Sequence, residues 1–471
     1  MKSTMRVTTA ALVATLGAVM FATVTQAAGP VLIAIGTISG FFEDFATQTA
    51  DPLENLVRGN RLGGMGSGLG YMGGDWFVAL PDRGPNAVMF NPCNDDTVSY
   101  INRFHTVHMS LSPSDAGSTP LPFTLTPMIV DTTLLSSHER LVYGQGCGKV
   151  GNGEPALNDE DHTHYFTGRS DNFDPMQLSN YPFDARLDTE SIRVSNDLRH
   201  IYISDEYGPY VYEFDRLTGS RTKVFMLPDK FAVKNLSAQG NTEITGNTSG
   251  RVANKGMEGL AITPDGDTLV GAMQSPLIQD GGDVTGGVTR IVTIDIRTGR
   301  TREYAYPLDT ATKTTISDIL AINNHEFLVD ERDSHGLADN SAAGFKRLYR
   351  IDLAGQQDVS RISGAANLAA VAVPKHLFLD IVAVLTANGM SAFDIPAKLE
   401  GTAFGQDLTI GGQLRHTLYV TNDNDYLPVV ANDHGTTTSN PNRVFVFSFS
   451  NADLPGLVPQ DFRDKDKDHD R

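Results

Sequence analysis

The sequence predicts an all-β protein, a β-propeller of six four-stranded blades, and three observations carry that prediction. A short phrase returns five times, as Ser67-Gly68-Leu69-Gly70-Tyr71, Glu190-Ser191-Ile192-Arg193-Val194, Glu258-Gly259-Leu260-Ala261-Ile262, Ser317-Asp318-Ile319-Leu320-Ala321 and Glu400-Gly401-Thr402-Ala403-Phe404. Each copy has a polar or acidic residue, usually a small one next, and then a strand-like run. After a turn, a second apolar strand ends in a polar cluster: Asp82-Arg83, Asp205-Glu206, Gln274-Ser275, Glu331-Arg332 and Asp423-Asn424-Asp425. The copies begin 123, 68, 59 and 83 residues apart (67 to 190, 190 to 258, 258 to 317, 317 to 400). That is longer than a helical or leucine-rich repeat and suits a four-stranded blade with its loops. The first interval has room for two blades, which brings the ring to six.

At the N-terminus, Lys2 and Arg6 precede the apolar run Ala10 to Ala22, and Thr25-Gln26-Ala27 offers a small-residue cleavage site. This is the layout of a secretory signal peptide over 1–27. A membrane anchor needs about 20 apolar residues, so no membrane insertion is expected. The mature chain is expected to begin near Ala28 and to be exported, to the periplasm or beyond the cell. No polar linker separates the repeats, so 28–455 is read as one large domain.

Four strands can be read within the third unit: Gly259 to Thr263, Thr268 to Met273, Val288 to Ile294 and Thr301 to Tyr306. Pro264-Asp265-Gly266, the glycine-rich Asp280 to Gly287 and Arg297-Thr298-Gly299 are the turns between them. The second unit repeats the plan with Tyr202 to Ser204, Tyr210 to Phe214 and the turn Arg216-Leu217-Thr218-Gly219. Alternation around Trp76, Phe77, Tyr202, Tyr212 and Phe214 predicts that these rings pack between blades. Cys93 and Cys147 are the only cysteines. In an exported chain they are expected to form a disulfide, the alternative being two free thiols.

The last residues, 456–471, are read as a charged, disordered tail. Asp464, Asp466, Asp468 and Asp470 imitate a calcium loop in part, but His469 stands where its glycine belongs and the sequence stops before its glutamate. Removing Lys2 and Arg6 takes the formal charge from −19 to −21. Nucleic acid and anionic lipid need clustered basic surface, so no nucleic acid is expected as a partner.

If the two strands of each phrase are antiparallel neighbours, one rim collects all the acid. Glu190, Asp205, Glu206, Glu258, Asp318, Glu331, Glu400 and Asp423 cannot all ionise side by side without raised pKa values or a compensating cation. Oxygen-only ligands in that number suit Ca²⁺. Arg83, Lys255 and Arg332 would add positive charge for a substrate oxyanion, and Glu258, Glu190 and Lys255 are the catalytic candidates. The alternative is that these acids cap strand ends and pair with arginines. Lys255 in turn either binds a substrate anion or neutralises Glu258.

Other chemistries lack their residues. No Arg-His-Gly phosphatase motif occurs, and no cysteine is followed six places later by arginine. Ser67 lies in Gly64-Met65-Gly66-Ser67-Gly68, where Met65 replaces the first glycine of a nucleophile elbow. His162-Thr163-His164, beside Asp159, Glu160 and Asp161, has no third metal ligand at a fitting spacing and is read as a solvated loop.

Several stretches resemble the exported family called esterase-like activity of phytase, or phytase-like domain proteins. They are Tyr165 to Asp174, Glu190-Ser191-Ile192 with Ser204 to Pro209, Asn254 to Gly266, Gln274 to Gly282, and Lys398-Leu399-Glu400-Gly401. The resemblance covers roughly Gly63 to Ser450 and implies hydrolysis of a small-molecule phosphoester or carboxylic ester; it assigns no catalytic residue. The reading is therefore a calcium-assisted ester hydrolase. A non-catalytic binding or scaffold propeller and a metal-dependent lactonase are the alternatives.

Overall fold

In the computed structural model, which describes residues 29–115, 117, 120–147, 151–159 and 162–462, each copy of the repeated phrase opens the innermost strand of a four-stranded antiparallel blade. The leader expected over 1–27 and the calcium-like part of the tail lie outside the described residues. The first blade runs Gly68–Gly73, Trp76–Leu80, Arg103–Pro113, Phe123–Leu134, and the second Thr189–Val194, His200–Asp205, Tyr210–Asp215, Arg221–Met226. The third is Met257–Ile262, Thr268–Met273, Val288–Asp295, Thr301–Pro307, and the fourth Thr315–Ala321, Glu326–Arg332, Lys346–Asp352, Lys375–Asp380. The fifth has Leu399–Phe404, Gln413–Asn422 and Asn442–Phe449, and takes its outermost strand from the other end of the chain, Val31–Ile38. That strand pairs from Val31 with Ser448 to Ile38 with Asn442, so the two ends of the domain close the ring together.

The ring has five blades, not six. Residues 135–188, part of the interval with room for a further blade, pair among the described residues only as Ser136–Ser137 with His164–Tyr165 and through isolated bridges. This stretch lacks sustained apolar alternation and fills its interior with polar side chains, burying Arg169, Asn172, Asp184 and Arg186 through hydrogen bonds. It folds as a loop layer against the first two blades. Cys93 and Cys147 are joined there in a disulfide with a Cα–Cα distance of 6.2 Å.

The five largest buried apolar clusters lie one at each blade junction and form most of the core. Tyr212 and Phe214 meet Val78 and Phe104 between the first and second blades, and Tyr202 meets Phe225 and Leu260 between the second and third. Phe77 lies 4.7 Å from Tyr419 across the junction that closes the ring. Trp76 does not pack between blades; it is 43% exposed, against His108 at an edge hairpin. Each large apolar side chain so buried contributes about 1.5–3 kcal/mol.

The small residue of the phrase is small because the five inner strands converge. A Cβ on Gly259 would stand 2.9 Å from Asp318 Cα, and one on Gly401 2.8 Å from the Gly66 carbonyl. Where the fourth blade carries Asp318 instead, its carboxylate is locked across the axis. Arg193 Nη2 lies 2.8 Å from both Asp318 oxygens, and the Ser191 hydroxyl, the Thr402 hydroxyl and the Thr402 amide donate to the same carboxylate. Arg193 Nη1 donates to the Leu69 carbonyl at 2.7 Å, and Ser191 Oγ reaches the Leu260 carbonyl at 3.4 Å. All five blades are thus tied at one level of the axis.

On the opposite side of that lock from the acidic rim, residues 456–462, read as the start of the tail, lie against the ring. Val458 N–H donates to the Ile322 carbonyl at 2.8 Å, Gln460 Nε2 donates to the Val194 carbonyl at 2.8 Å, and Phe462 packs on Tyr71.

Candidate functional site

Antiparallel register slips at the phrase in four blades, between Thr189 and Ile192, Met257 and Gly259, Ile316 and Asp318, and Leu399 and Thr402. Such bulges re-aim side chains and are common beside functional sites. Here they turn Glu190, Glu258 and Glu400 into a cavity of about 520 Å³ at one mouth of the axis. The ends of the second strands supply Asp82, Glu206, Arg332 and Asp423 to the same cavity, with Arg83, Lys255 and Lys398 beside them.

The cavity has two unlike sides. On one, Glu400, Asp423 and Asp425 each have a cation: Arg332 Nη2 meets Glu400 at 2.5 Å, and Lys398 Nζ meets Asp423 at 2.7 Å and Asp425 at 2.5 Å. On the other, Asp188, Glu190 and Glu206 are all buried, and an oxygen from each lies within 4.8 Å of the others. Among the described residues Arg83 is the one cation bonded there: it pairs with Asp188 and lies 3.0 Å from Asp96 and 3.9 Å from Glu206. Among the described residues, Asp188 Oδ1, Glu206 Oε1 and Glu258 Oε2 have no hydrogen-bond partner.

Burial and then the neighbouring Glu258 push the Glu190 carboxyl well above the usual carboxylate range; burial and then Glu206 do the same to Glu258. Asp188 is raised to about 6 by burial, with Arg83 opposing. Asp82 is raised by burial and Asp423, and Asp423 reaches about 7 through burial against the pull of Lys398. These buried carboxylates, with oxygens close together and free of hydrogen bonds, could hold a metal ion, and an all-oxygen donor set fits a hard cation.

Of the residues expected at the rim, Glu190, Glu206, Glu258, Glu400, Asp423, Arg83, Lys255 and Arg332 line this one cavity. Asp205, Asp318 and Glu331 are engaged elsewhere. Asp205 accepts the backbone N–H groups of Asp188 and Gly208, Asp318 belongs to the axial lock, and Glu331 accepts from Tyr306, Thr314, Lys375 and the Asp309 amide. Lys255 donates to Gln274 Oε1 at 3.0 Å and forms no ion pair among the described residues. Sequence reading missed Asp188 and Lys398. Both stand two places before the glutamate of their phrase, at Glu190 and Glu400, and aligning the copies further upstream would have found them.

The family model for phytase-like proteins, described as esterase-like activity of phytase, matches residues 60–426. The chain belongs to this family. The match spans every phrase and every acid of the cavity. An uncharacterized secreted protein of Arthroderma benhamiae is 29% identical to this phytase-like chain over 350 residues, which cover 62% of the chain and 63% of that protein. The chain thus spans less than two thirds of the length of that relative. Among solved structures, the periplasmic gluconolactonase of Pseudomonas aeruginosa aligns over 89% of this chain and 99% of its own at 11% identity and a TM-score of 0.30. Hydrazine synthase of Kuenenia stuttgartiensis aligns over 77% and 78% at 8% identity and a TM-score of 0.29. Among the described residues, no helix is long and apolar enough to cross a membrane.

Proposed function

We propose that this phytase-like propeller is an exported hydrolase that cleaves an ester, foremost a phosphate ester, in the axial cavity with the help of calcium. One observation carries the proposal: three buried carboxylates, Asp188, Glu190 and Glu206, offer oxygens within 4.8 Å of one another. Glu258 extends the set with a further unbonded oxygen. Oxygen-only, flexible and acid-rich, it suits Ca²⁺ over softer metals. When bound, the cation would polarise the ester oxygen and offset the charge of the carboxylates.

The chain's own groups divide the remaining work. Glu258, whose carboxyl is raised by burial and by Glu206 while no cation offsets its neighbours, would be lowered by the bound cation and could then take a proton from an attacking water. Lys255, bonded among the described residues to the neutral amide of Gln274, meets the oxyanion that develops on the substrate. Arg83 and Arg332, expected to bind substrate, already hold Asp188 and Glu400; in this reading they fix the carboxylates, and Lys255 with the bound cation attracts an anionic substrate.

The test is hydrolysis of a phosphomonoester and a carboxylic ester in parallel, each with calcium and with EGTA. Turnover that depends on calcium supports the proposal. No turnover of either ester, in a protein whose melting temperature calcium still raises, points to a binding propeller.

A further inference from the structure

Arg83 and Asn254 also wall a second cavity of about 160 Å³, which reaches Asp95, Asp96, Arg186, Tyr207, Glu243 and Arg251. Its three acids are already engaged. Asp96 accepts from Arg83 Nε and from the Tyr207 hydroxyl, each at 3.0 Å. Glu243 accepts from Arg251 at 2.5 Å and from the Ser237 N–H at 3.1 Å, and Asp95 accepts the Gly240 N–H at 2.5 Å.

Arg186 is different. It is 1% exposed, and its guanidinium lies 4.7 Å from the Phe173 ring centre and 5.1 Å from that of Tyr207, so the two rings fix its plane. Nη1 lies 3.4 Å from the Ser170 carbonyl and 3.8 Å from Glu243, two residues that also wall the cavity. The other edge of the fork, Nε and Nη2, has no hydrogen-bond partner among the described residues.

A buried donor left without an acceptor is costly, and here two sit side by side on a charged group. An Arg edge of this kind presents two parallel N–H donors, spaced for two oxygens of one carboxylate or phosphate. We propose that the side cavity binds a small oxyanion of the phosphate or carboxylate class, gripped by Arg186 Nε and Nη2. A water takes about 30 Å³ of liquid volume, so the space admits a phosphate-sized group with a little water and no extended ligand. Because Arg83 and Asn254 wall both cavities, the anion has two possible sources: a free ion, or a second anionic substituent on a molecule seated in the axial cavity. The inference goes beyond ester hydrolysis and does not depend on it.

Calorimetric titration of inorganic phosphate into the full chain in EGTA tests the site without metal. Wild type should bind phosphate, Arg186→Lys should weaken binding at least tenfold by losing the fork while keeping the charge, and Arg300→Gln, at an exposed turn that lines neither cavity, should stay within twofold. A free ion predicts that Arg186→Lys changes phosphate affinity alone. A substrate substituent predicts in addition a tenfold higher KM for an ester carrying two phosphates, with a monophosphate unchanged. If Arg186→Lys does not fold, tungstate soaked into wild-type crystals answers the same question, with a peak within hydrogen-bond distance of Arg186 as the supporting result. No phosphate binding by wild type, equal affinity in Arg186→Lys, or tungstate only beside Lys255 overturns the proposal.

Discussion

Glu190 and Ser191, Glu258 and Gly259, and Glu400 and Gly401 are neighbours in the chain, yet the first of each pair lines the axial cavity and the second faces the lock beneath it. Both levels bury charge. At the lock, Asp318 meets Arg193 on both oxygens and three further donors, so the carboxylate charge is matched and both its oxygens are hydrogen-bonded. In the cavity above, Asp188, Glu206 and Glu258 keep unbonded oxygens and the nearest cation is shared. A matched buried charge fixes the ring; an unmatched one is poised for a ligand.

The largest expected effect comes from breaking the lock. Asp318→Asn leaves the Arg193 guanidinium buried without its counter-charge, and removal of one partner of such a pair costs about 3–5 kcal/mol. Denaturant unfolding should show this loss, with hydrolysis per folded molecule unchanged. A loss below about 1 kcal/mol would mean that the lock is incidental to the ring.

Substitution one level up should reverse that pattern. Glu258→Gln and Glu190→Gln keep the fold and lower hydrolysis by about a hundredfold or more, as loss of a general base or a metal ligand requires. Folded variants that match wild-type rates would remove both residues from the catalytic centre.

Calcium should stabilise the upper level and leave the lock indifferent. At a hundredfold excess over its Kd the gain is about 2.7 kcal/mol, read as a rise in melting temperature over EGTA. In Glu190→Gln the rise should shrink, while in Asp318→Asn it should persist. Identical curves in wild type, with no calcium in the purified protein, would dispose of the metal site.

The smallest effect is the pH dependence of the metal-free protein. Asp188 at about 6, Asp423 at about 7, and Glu190 and Glu258, both raised well above the usual carboxylate range by burial, hold protons when folded that the unfolded chain has released. The native state binds more protons, so stability falls as pH rises from about 4 through about 7. Melting in EGTA should therefore drop between pH 5 and pH 8, and calcium should flatten the drop. A flat profile in EGTA would mean that the cavity acids are neutralised by the protein itself.

Much of the fold was legible because the repeat is chemical as well as geometric. Gly259 and Gly401 must be small where inner strands meet, and Pro264-Asp265-Gly266 must turn, so the phrase and its punctuation expose the blades directly. The blade count was not legible. An interval of 123 residues (67 to 190) holds either two blades or one blade with a long loop layer, and length does not separate them. The strand Val31–Ile38 was also hidden, because its partner Asn442–Phe449 lies at the far end of the chain and no local pattern names it.

The sequence by itself determined the family, the propeller class and a rim rich in acid, since these rest on residue type and spacing. Only the tertiary structure decided which acids act together. Glu206 and Asp205 are adjacent, yet one turns into the cavity and the other caps backbone amides; Asp318 and Glu331 were drawn away by Arg193 and Lys375, while Asp188 joined Glu190. Those choices depend on bulges and on partners brought from other blades, and the energy of a buried charge is set by what lies within a few ångströms of it in space, not along the chain.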